Sequence, residues 1–267
     1  MKKHAAFIIL FFSSGILTAQ ELFVFTEPAS NMPAHSISAK LTGRSPISKY
    51  NNYFKQRYTP ELMYGISKQI MVHVSSTFSD FYTPTVKWES WKLYTKWRFF
   101  SKDEVHRHFR LAVFGEGSLS KSPFYYGDIN LDGDNSGIQG GFIATQLLNK
   151  LALSLTSSII KVFAESGEHS GHADHALEAL NYSLSAGYLL FPRSYTDYKQ
   201  TNLNIYMEMI GMRGLDQKHF MLDLAPAMQL IINSNLKVNA GYRFQVRGDM
   251  LRVGEKSWVV GLERTFL

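Results

Sequence analysis

The chain contains no cysteine among its 267 residues. That excludes a disulfide framework and a lipid-modified cysteine behind a leader, so stability has to come from backbone pairing and packing. Beyond residue 20 there is no run of eighteen apolar residues, which excludes a helical membrane span. Charge is scarce as well: Asp, Glu, Lys and Arg make up 19% of the chain, below the usual quarter. The formal net charge of +6 falls to +4 without Lys2 and Lys3 and forms no basic run, so a nucleic-acid partner is not expected. What the chain has in quantity is aromatic residues, at 14%. Many aromatics with few charges fit a protein whose outer face meets lipid.

The first residues read as an address. Met1, Lys2 and Lys3 precede an apolar stretch from Ala5 to Leu17, followed by Thr18-Ala19-Gln20. This is the pattern of a cleavable signal peptide over residues 1–19, too short to span a bilayer as a helix. Leu17 stands where a small residue is preferred, so the cleaved bond is expected near Ala19 without being fixed. Residues 20–35 then form a lead-in or plug, and 36–267 a single β domain.

A barrel with lipid outside and water inside requires strands that alternate with period two. Trp91, Leu93, Trp97 and Phe99 fall on one face, Lys92, Tyr94, Lys96 and Arg98 on the other. The same split separates Leu151, Leu153, Leu155 and Ile159 from Ala152, Ser154, Thr156 and Ser158. It recurs at Leu203, Ile205, Met207 and Met209, and again at Leu236, Val238, Ala240, Tyr242 and Phe244. A helix would mix these sets.

Read this way, the chain is all-β: a transmembrane antiparallel up-and-down β-barrel of about twelve strands. They are expected near 36–44, 57–66, 69–81, 86–100, 106–118, 137–146, 149–163, 176–190, 197–212, 218–232, 235–248 and 255–267. Tight turns are expected at Ser67-Lys68, Leu147-Leu148 and Asn233 to Asn235. Long loops fall at Arg44 to Arg57, Leu119 to Ser136 and Ala164 to His175. Short turns at one end and long loops at the other are the outer-membrane pattern, with the long loops outside. Pro226 inside the tenth strand predicts a local kink, because proline cannot donate to the ladder. The last strand carries Trp258, Val260, Leu262 and Phe266 on one face. A final amphipathic strand with a terminal aromatic resembles those that the barrel assembly machinery recognises, although here Leu267 follows Phe266.

Three further segments carry a narrower resemblance: Phe25-Thr26-Glu27-Pro28-Ala29-Ser30-Asn31-Met32-Pro33-Ala34, Gly133-Asp134-Asn135-Ser136-Gly137, and the run Ile143 to Ser154. They are similar to the bacteroidete branch of the meta-pathway phenol-degradation barrels. The resemblance implies an outer-membrane channel or uptake protein, and the family name implies small aromatic or hydrophobic solutes.

Several clusters are candidate sites. Asp128, Asn130, Asp132 and Asp134, with Gly133 at the turn, resemble the first half of a calcium loop. Gln139 stands where the bidentate Glu belongs, and a polar hairpin loop would use the same residues for turn geometry. His169, His172 and His175, near Glu165, Glu168 and Asp174, offer surface transition-metal ligands, or simply a polar external loop. His73 and Ser75 resemble the pair of outer-membrane phospholipase A, but the alternation turns them to the water side. By the same alternation Lys92, Lys96, Arg98, Arg110, Glu208, Asp223, Arg243 and Glu263 point inward. They either line a pore and set its selectivity or close a narrow interior with salt bridges. Trp91, Trp97, Phe99, Tyr188, Tyr242 and Trp258 read as a lipid-facing girdle.

The expected function is an outer-membrane channel or uptake protein for small molecules, with no enzyme activity and no cofactor. The expected partners are outer-membrane lipid, the assembly machinery and a small-molecule solute, with the chain acting as a monomer. Two alternatives are a non-conducting barrel that binds partners through its loops and a membrane hydrolase using His73 and Ser75.

Overall fold

The computed structural model describes residues 23–48, 53–123, 125–163, 176–192, 200–215 and 218–266. The signal segment 1–19 and the histidine loop 164–175 lie outside these residues. Twelve strands follow one another: β1 Ile37–Ile47, β2 Arg57–Gly65, β3 Ile70–Ser79, β4 Lys87–Glu104, β5 Arg107–Ser120 and β6 Gly137–Leu148. The second half comprises β7 Leu151–Val162, β8 Glu178–Phe191, β9 Asn202–Gly214, β10 Phe220–Ile232, β11 Leu236–Gly248 and β12 Lys256–Phe266. Each pairs antiparallel with its neighbours in sequence, and β1 pairs with β12 from Ile37↔Phe266 to Ile47↔Lys256. Closure leaves no strand edge, so every ladder group can find a partner without water, as a bilayer demands. No described helix is long and apolar enough to cross a membrane.

The alternation produces two faces. Trp91, Leu93 and Trp97 on β4, Leu155 and Ile159 on β7, and Trp258, Val260 and Leu262 on β12 are about half exposed. Their neighbours Tyr94, Lys96, Ser154, Ser158 and Ser257 are buried in the interior. Outward rings pack on one another, as Tyr242 does on Trp258 at a centroid distance of 4.6 Å. A bulge between Trp97 and Phe100 puts both Phe99 and Phe100 on the outside.

The boundaries differ from the expected ones in instructive places. The β6–β7 turn is Asn149-Lys150, because Leu147 and Leu148 remain paired with Ala152 and Leu151. Asn149 takes the left-handed conformation there, φ 53°, which asparagine tolerates better than leucine. The β10–β11 turn has Asn233 and Ser234 at φ 51° and 59°, the backbone of a type I′ turn. The β4–β5 connection shrinks to Val105-His106 as β4 runs on to Glu104. The β8–β9 connection, 192–201, is long although it lies at the short-turn end. Pro226 causes no register shift in β10. The register with β9 continues through Pro226↔Met207, and the bulge lies at Leu222/Asp223.

Two segments fold into the lumen. The N-terminal segment from Phe23 to Pro33 crosses the short-turn half of the barrel. Phe23 packs on Tyr206 and Ala152, and Met32 on Met63 and Met71 across the interior. The chain enters β1 past Gly65, where an added Cβ would lie 2.2 Å from the Pro33 carbonyl, so a side chain would push the segment off the wall. The β5–β6 loop, 121–136, descends from the other end. Ile129 and Leu131 bury themselves among Ile160, Val162, Ala179, Met212, Met221 and Met250.

Candidate functional site

The N-terminal segment forms a floor, and wall side chains hold its backbone. Glu208 of β9 accepts the N–H groups of Val24 at 2.9 Å and Phe25 at 3.0 Å and the Thr26 hydroxyl at 2.7 Å. From the opposite wall, Lys96 of β4 donates to the carbonyls of Pro28 at 2.7 Å and Ser30 at 2.9 Å and pairs with Glu27 at 3.2 Å. Both wall charges are fully buried. Ala29 donates its N–H to Thr145 Oγ1 at 2.9 Å, and Arg110 Nη1 reaches Ser30 Oγ at 2.8 Å. An extended segment has no internal backbone bonds, so these contacts supply the partners that burial would otherwise remove. Thr145 in turn bonds Ser154 at 2.9 Å. The run 143–154 and the segment 25–34, separate motifs in the sequence, meet here.

The β5–β6 loop forms a roof, tied by ion pairs. Arg57 of β2 makes a bidentate pair with Asp134 and lies 3.1 Å from Glu89. Tyr82 donates to Asp134 at 2.7 Å, and Asn130 bonds its other oxygen. Lys92 of β4 pairs with Asp132 and lies 3.4 Å from Glu116. The loop also leans on the β11–β12 connection, where Gly127 donates to the Leu251 carbonyl at 2.7 Å. Gly133 sits at φ 121°, against Glu89 and Thr77, where no side chain fits.

Lys92 holds Asp132 down to about 2. Burial works against the Asp134 carboxylate, yet Arg57 and the hydrogen bonds of Tyr82 and Asn130 keep it below the usual range. Burial, with Asp134 nearby, pushes Asp128 up to about 7 against the pull of Arg252, Arg44 and Arg243. The Tyr82 phenol is likewise raised by burial and by Asp134.

Between floor and roof lies a cavity of about 280 Å³. Phe25, Thr26 and Glu27 line it from below, Asp128, Ile129, Asn130, Leu131 and Asp132 from above. Its walls carry Arg44, Lys92, Glu116 and Arg243, with Tyr94, Phe114, Ile143, Tyr182 and Ile210 between them.

Of the eight inward charges read from the sequence, Lys92 and Arg243 line this cavity. Lys96, Glu208 and Arg110 hold the floor. Asp223 pairs with Arg243 at 2.6 Å and Arg252 at 2.9 Å, and Glu263 with Lys237 at 2.9 Å, inside the wall. Arg98 sits at the short-turn rim, donating to the Lys68 carbonyl at 2.7 Å. The acidic loop residues meet wall cations: Asp132 meets Lys92, and Asp134 meets Arg57. Among the described residues no group of three or more His, Asp or Glu is gathered as a metal would need. His73 and Ser75 are buried on the interior wall, His73 3.5 Å from Glu61 and tilted against the Tyr94 ring at a centroid distance of 4.9 Å.

Sequence reasoning missed Arg44, Arg57 and Arg252. The first two were within reach, since alternation along β1 and β2 places Arg44 with Ser38 and Arg57 with Met63 on the inner face. Arg252 lies in a loop, where no periodicity applies.

No family model matches the chain, and no curated protein does. Solved structures do resemble it. The KdgM porin is 8% identical, with 86% of this chain and 99% of that one covered and a TM-score of 0.54. An outer membrane channel from Pseudomonas putida F1 is 12% identical, with 91% and 100% covered and a TM-score of 0.56. The fold is that of an outer-membrane β-barrel. At these identities the likeness speaks for the architecture, and what the barrel does has to be argued from its lumen.

Proposed function

We propose that this outer-membrane barrel is a channel or uptake protein for small molecules, closed at rest by the two segments in its lumen. The observation that carries the reading is the chamber itself, a space inside the barrel between floor and roof, lined by charged groups on part of its wall and by aromatic and apolar groups on the rest. A barrel serving only as a scaffold has no use for such a space, whereas a solute path has. The resemblance of residues 25–34, 133–137 and 143–154 to the phenol-degradation barrels adds a preference for small hydrophobic or aromatic solutes, and Phe25, Tyr94, Phe114 and Tyr182 on the cavity wall agree with it. The chain would work as a monomer, delivered by its signal segment and inserted by the assembly machinery.

The test is conductance of the full chain in planar bilayers. Small discrete openings are expected, and Lys92→Glu should shift the ion preference toward cations, since Lys92 is one of the wall cations between floor and roof. A barrel that stays silent with its floor released by Glu208→Ala would leave the second reading, a non-conducting barrel acting through its loops. That reading is favoured by the two segments folded into the lumen.

A further inference from the structure

Charge inside the lumen is not evenly spread. On the β2–β5 side, two cations face four carboxylates: Arg57 lies between Asp134 and Glu89, and Lys92 between Asp132 and Glu116. On the β1–β11 side the balance reverses. Among the described residues, Arg44, Arg243 and Arg252 face Asp223 and Asp128. Asp223 is already taken, accepting from Arg243 Nε at 2.6 Å and from Arg252 Nη1 on both oxygens, at 3.1 and 2.9 Å. Asp128 feels Arg44 without bonding it, and its Oδ1 is buried with no hydrogen-bond partner. Arg44 itself, at the cavity wall, has no hydrogen bond and no ion pair among the described residues. Its next neighbours of like charge are Arg243, Arg57 and Arg252.

An unpaired guanidinium beside other guanidiniums in a confined space is costly unless an anion joins it. Arg44 and Arg243 are neighbours across one strand. Arg44 pairs in register with Val259 of β12, and Arg243 with Ser257 two residues along, so both side chains point inward from the same patch of wall. A guanidinium offers a fork of parallel donors that matches a carboxylate. The remainder of the cavity is not suited to a bare ion. Phe25, Tyr94, Phe114, Ile143, Tyr182 and Ile210 give it an apolar and aromatic flank. The volume, about 280 Å³, exceeds the roughly 150 Å³ in which benzene can be held. One ring with a charged substituent fits.

We infer that the Arg44–Arg243 end of the chamber is a seat for the carboxylate of a small organic acid, whose apolar or aromatic body lies against the Phe25, Phe114 and Tyr182 flank. The inference deepens the channel reading and rests on it, since the ligand has to reach the lumen. It also narrows it. A neutral aromatic of the same shape should be a poor ligand, and so should a small anion without an apolar body.

The test is titration calorimetry on the full chain folded in detergent micelles, with benzoate, benzyl alcohol, acetate and inorganic phosphate as probes. Benzoate is expected to bind one to one, and the other three at least about tenfold more weakly. Arg44→Gln should weaken benzoate by about ten- to a hundredfold, the range of a charge-assisted hydrogen bond. This variant breaks no hydrogen bond or ion pair among the described residues, so its melting temperature should match that of the parent. Arg44→Lys should restore part of the affinity, and Arg264→Gln, on the outer face, should change nothing. Equal binding of benzoate and benzyl alcohol, unchanged binding in Arg44→Gln, or no benzoate binding at all overturns the seat. Phosphate or acetate binding as tightly as benzoate overturns the apolar flank as part of it. Conductance on the same preparation separates the two ideas. Benzoate binding in a silent barrel supports the seat and sinks the channel, while conductance without benzoate binding sinks the seat alone.

Discussion

The floor and the roof of the chamber are held in the same lumen by different physics. The floor is an extended backbone held by two buried wall charges, Glu208 and Lys96, which bond main-chain N–H and C=O groups. Such contacts are indifferent to most side chains of the segment itself. The roof is held by side-chain pairs, Arg57–Asp134 and Lys92–Asp132, above an apolar cluster around Ile129 and Leu131. A floor of this kind answers to substitutions in the wall, whereas the roof answers to substitutions in the loop and to protonation of its carboxylates.

The largest effect that would sharpen this contrast is expected at Glu208. Glu208→Ala strands the Val24 and Phe25 N–H groups and costs the docked floor roughly 3–5 kcal/mol, as charge-assisted hydrogen bonds are worth about 1.5–3 each. Conductance should rise several-fold and residues 23–33 should become open to protease, with the roof unaffected. If the roof loosens as well, the two segments are one unit and the comparison fails.

Next comes Arg57→Met, which leaves the buried Asp134 and Glu89 without their cation. The loss should be about 3 kcal/mol in the stability of the roof. Hydrogen exchange across residues 127–136 should quicken accordingly while the floor amides stay protected. Lys92→Met is expected to do less, about 1 kcal/mol or under, because Asp132 is 56% exposed and its pair is open to solvent screening. Equal effects of the two substitutions on loop exchange would show that burial does not rank these pairs.

The last prediction concerns pH. Asp128, with an ordinary value of 3.8, is raised to about 7 in the docked loop, so the docked state holds its proton more tightly than the released one. Docking is therefore favoured fully below about pH 4, weakens as pH rises toward 7, and levels off above it. Asp132 and Asp134, both lowered, act in the opposite direction and only below about pH 4, where their protonation frees Lys92 and Arg57. Loop protection factors, which divide out the base-catalysed intrinsic exchange rate, should thus fall from pH 5 to pH 7.5 and stay flat over that range in Asp128→Asn. The floor should show neither trend.

How much of this was legible beforehand depends on range. The Trp91 to Phe99 alternation assigned the faces of β4 correctly until the bulge after Trp97, where one extra residue put Phe99 and Phe100 on the same side. The β6–β7 turn was misplaced by two residues because apolar Leu147 and Leu148 read as a break between patterns, although Asn149 was the residue suited to a left-handed turn. Proline at 226 read as a kink, yet the register held and the bulge fell at Leu222/Asp223.

The sequence by itself determined the number of strands and, where the alternation is unbroken, which face turns outward and which inward, because these follow from a period of two and from turn chemistry acting over a few residues. Only the tertiary structure decided that Lys96 and Glu208 grip a backbone, that the acidic loop answers to Arg57 and Lys92, and that Arg44, without an ion pair among the described residues, stands beside Arg243. Those partners are brought together by closure of the barrel and by two segments folding into it, and no local pattern encodes who faces whom across a lumen.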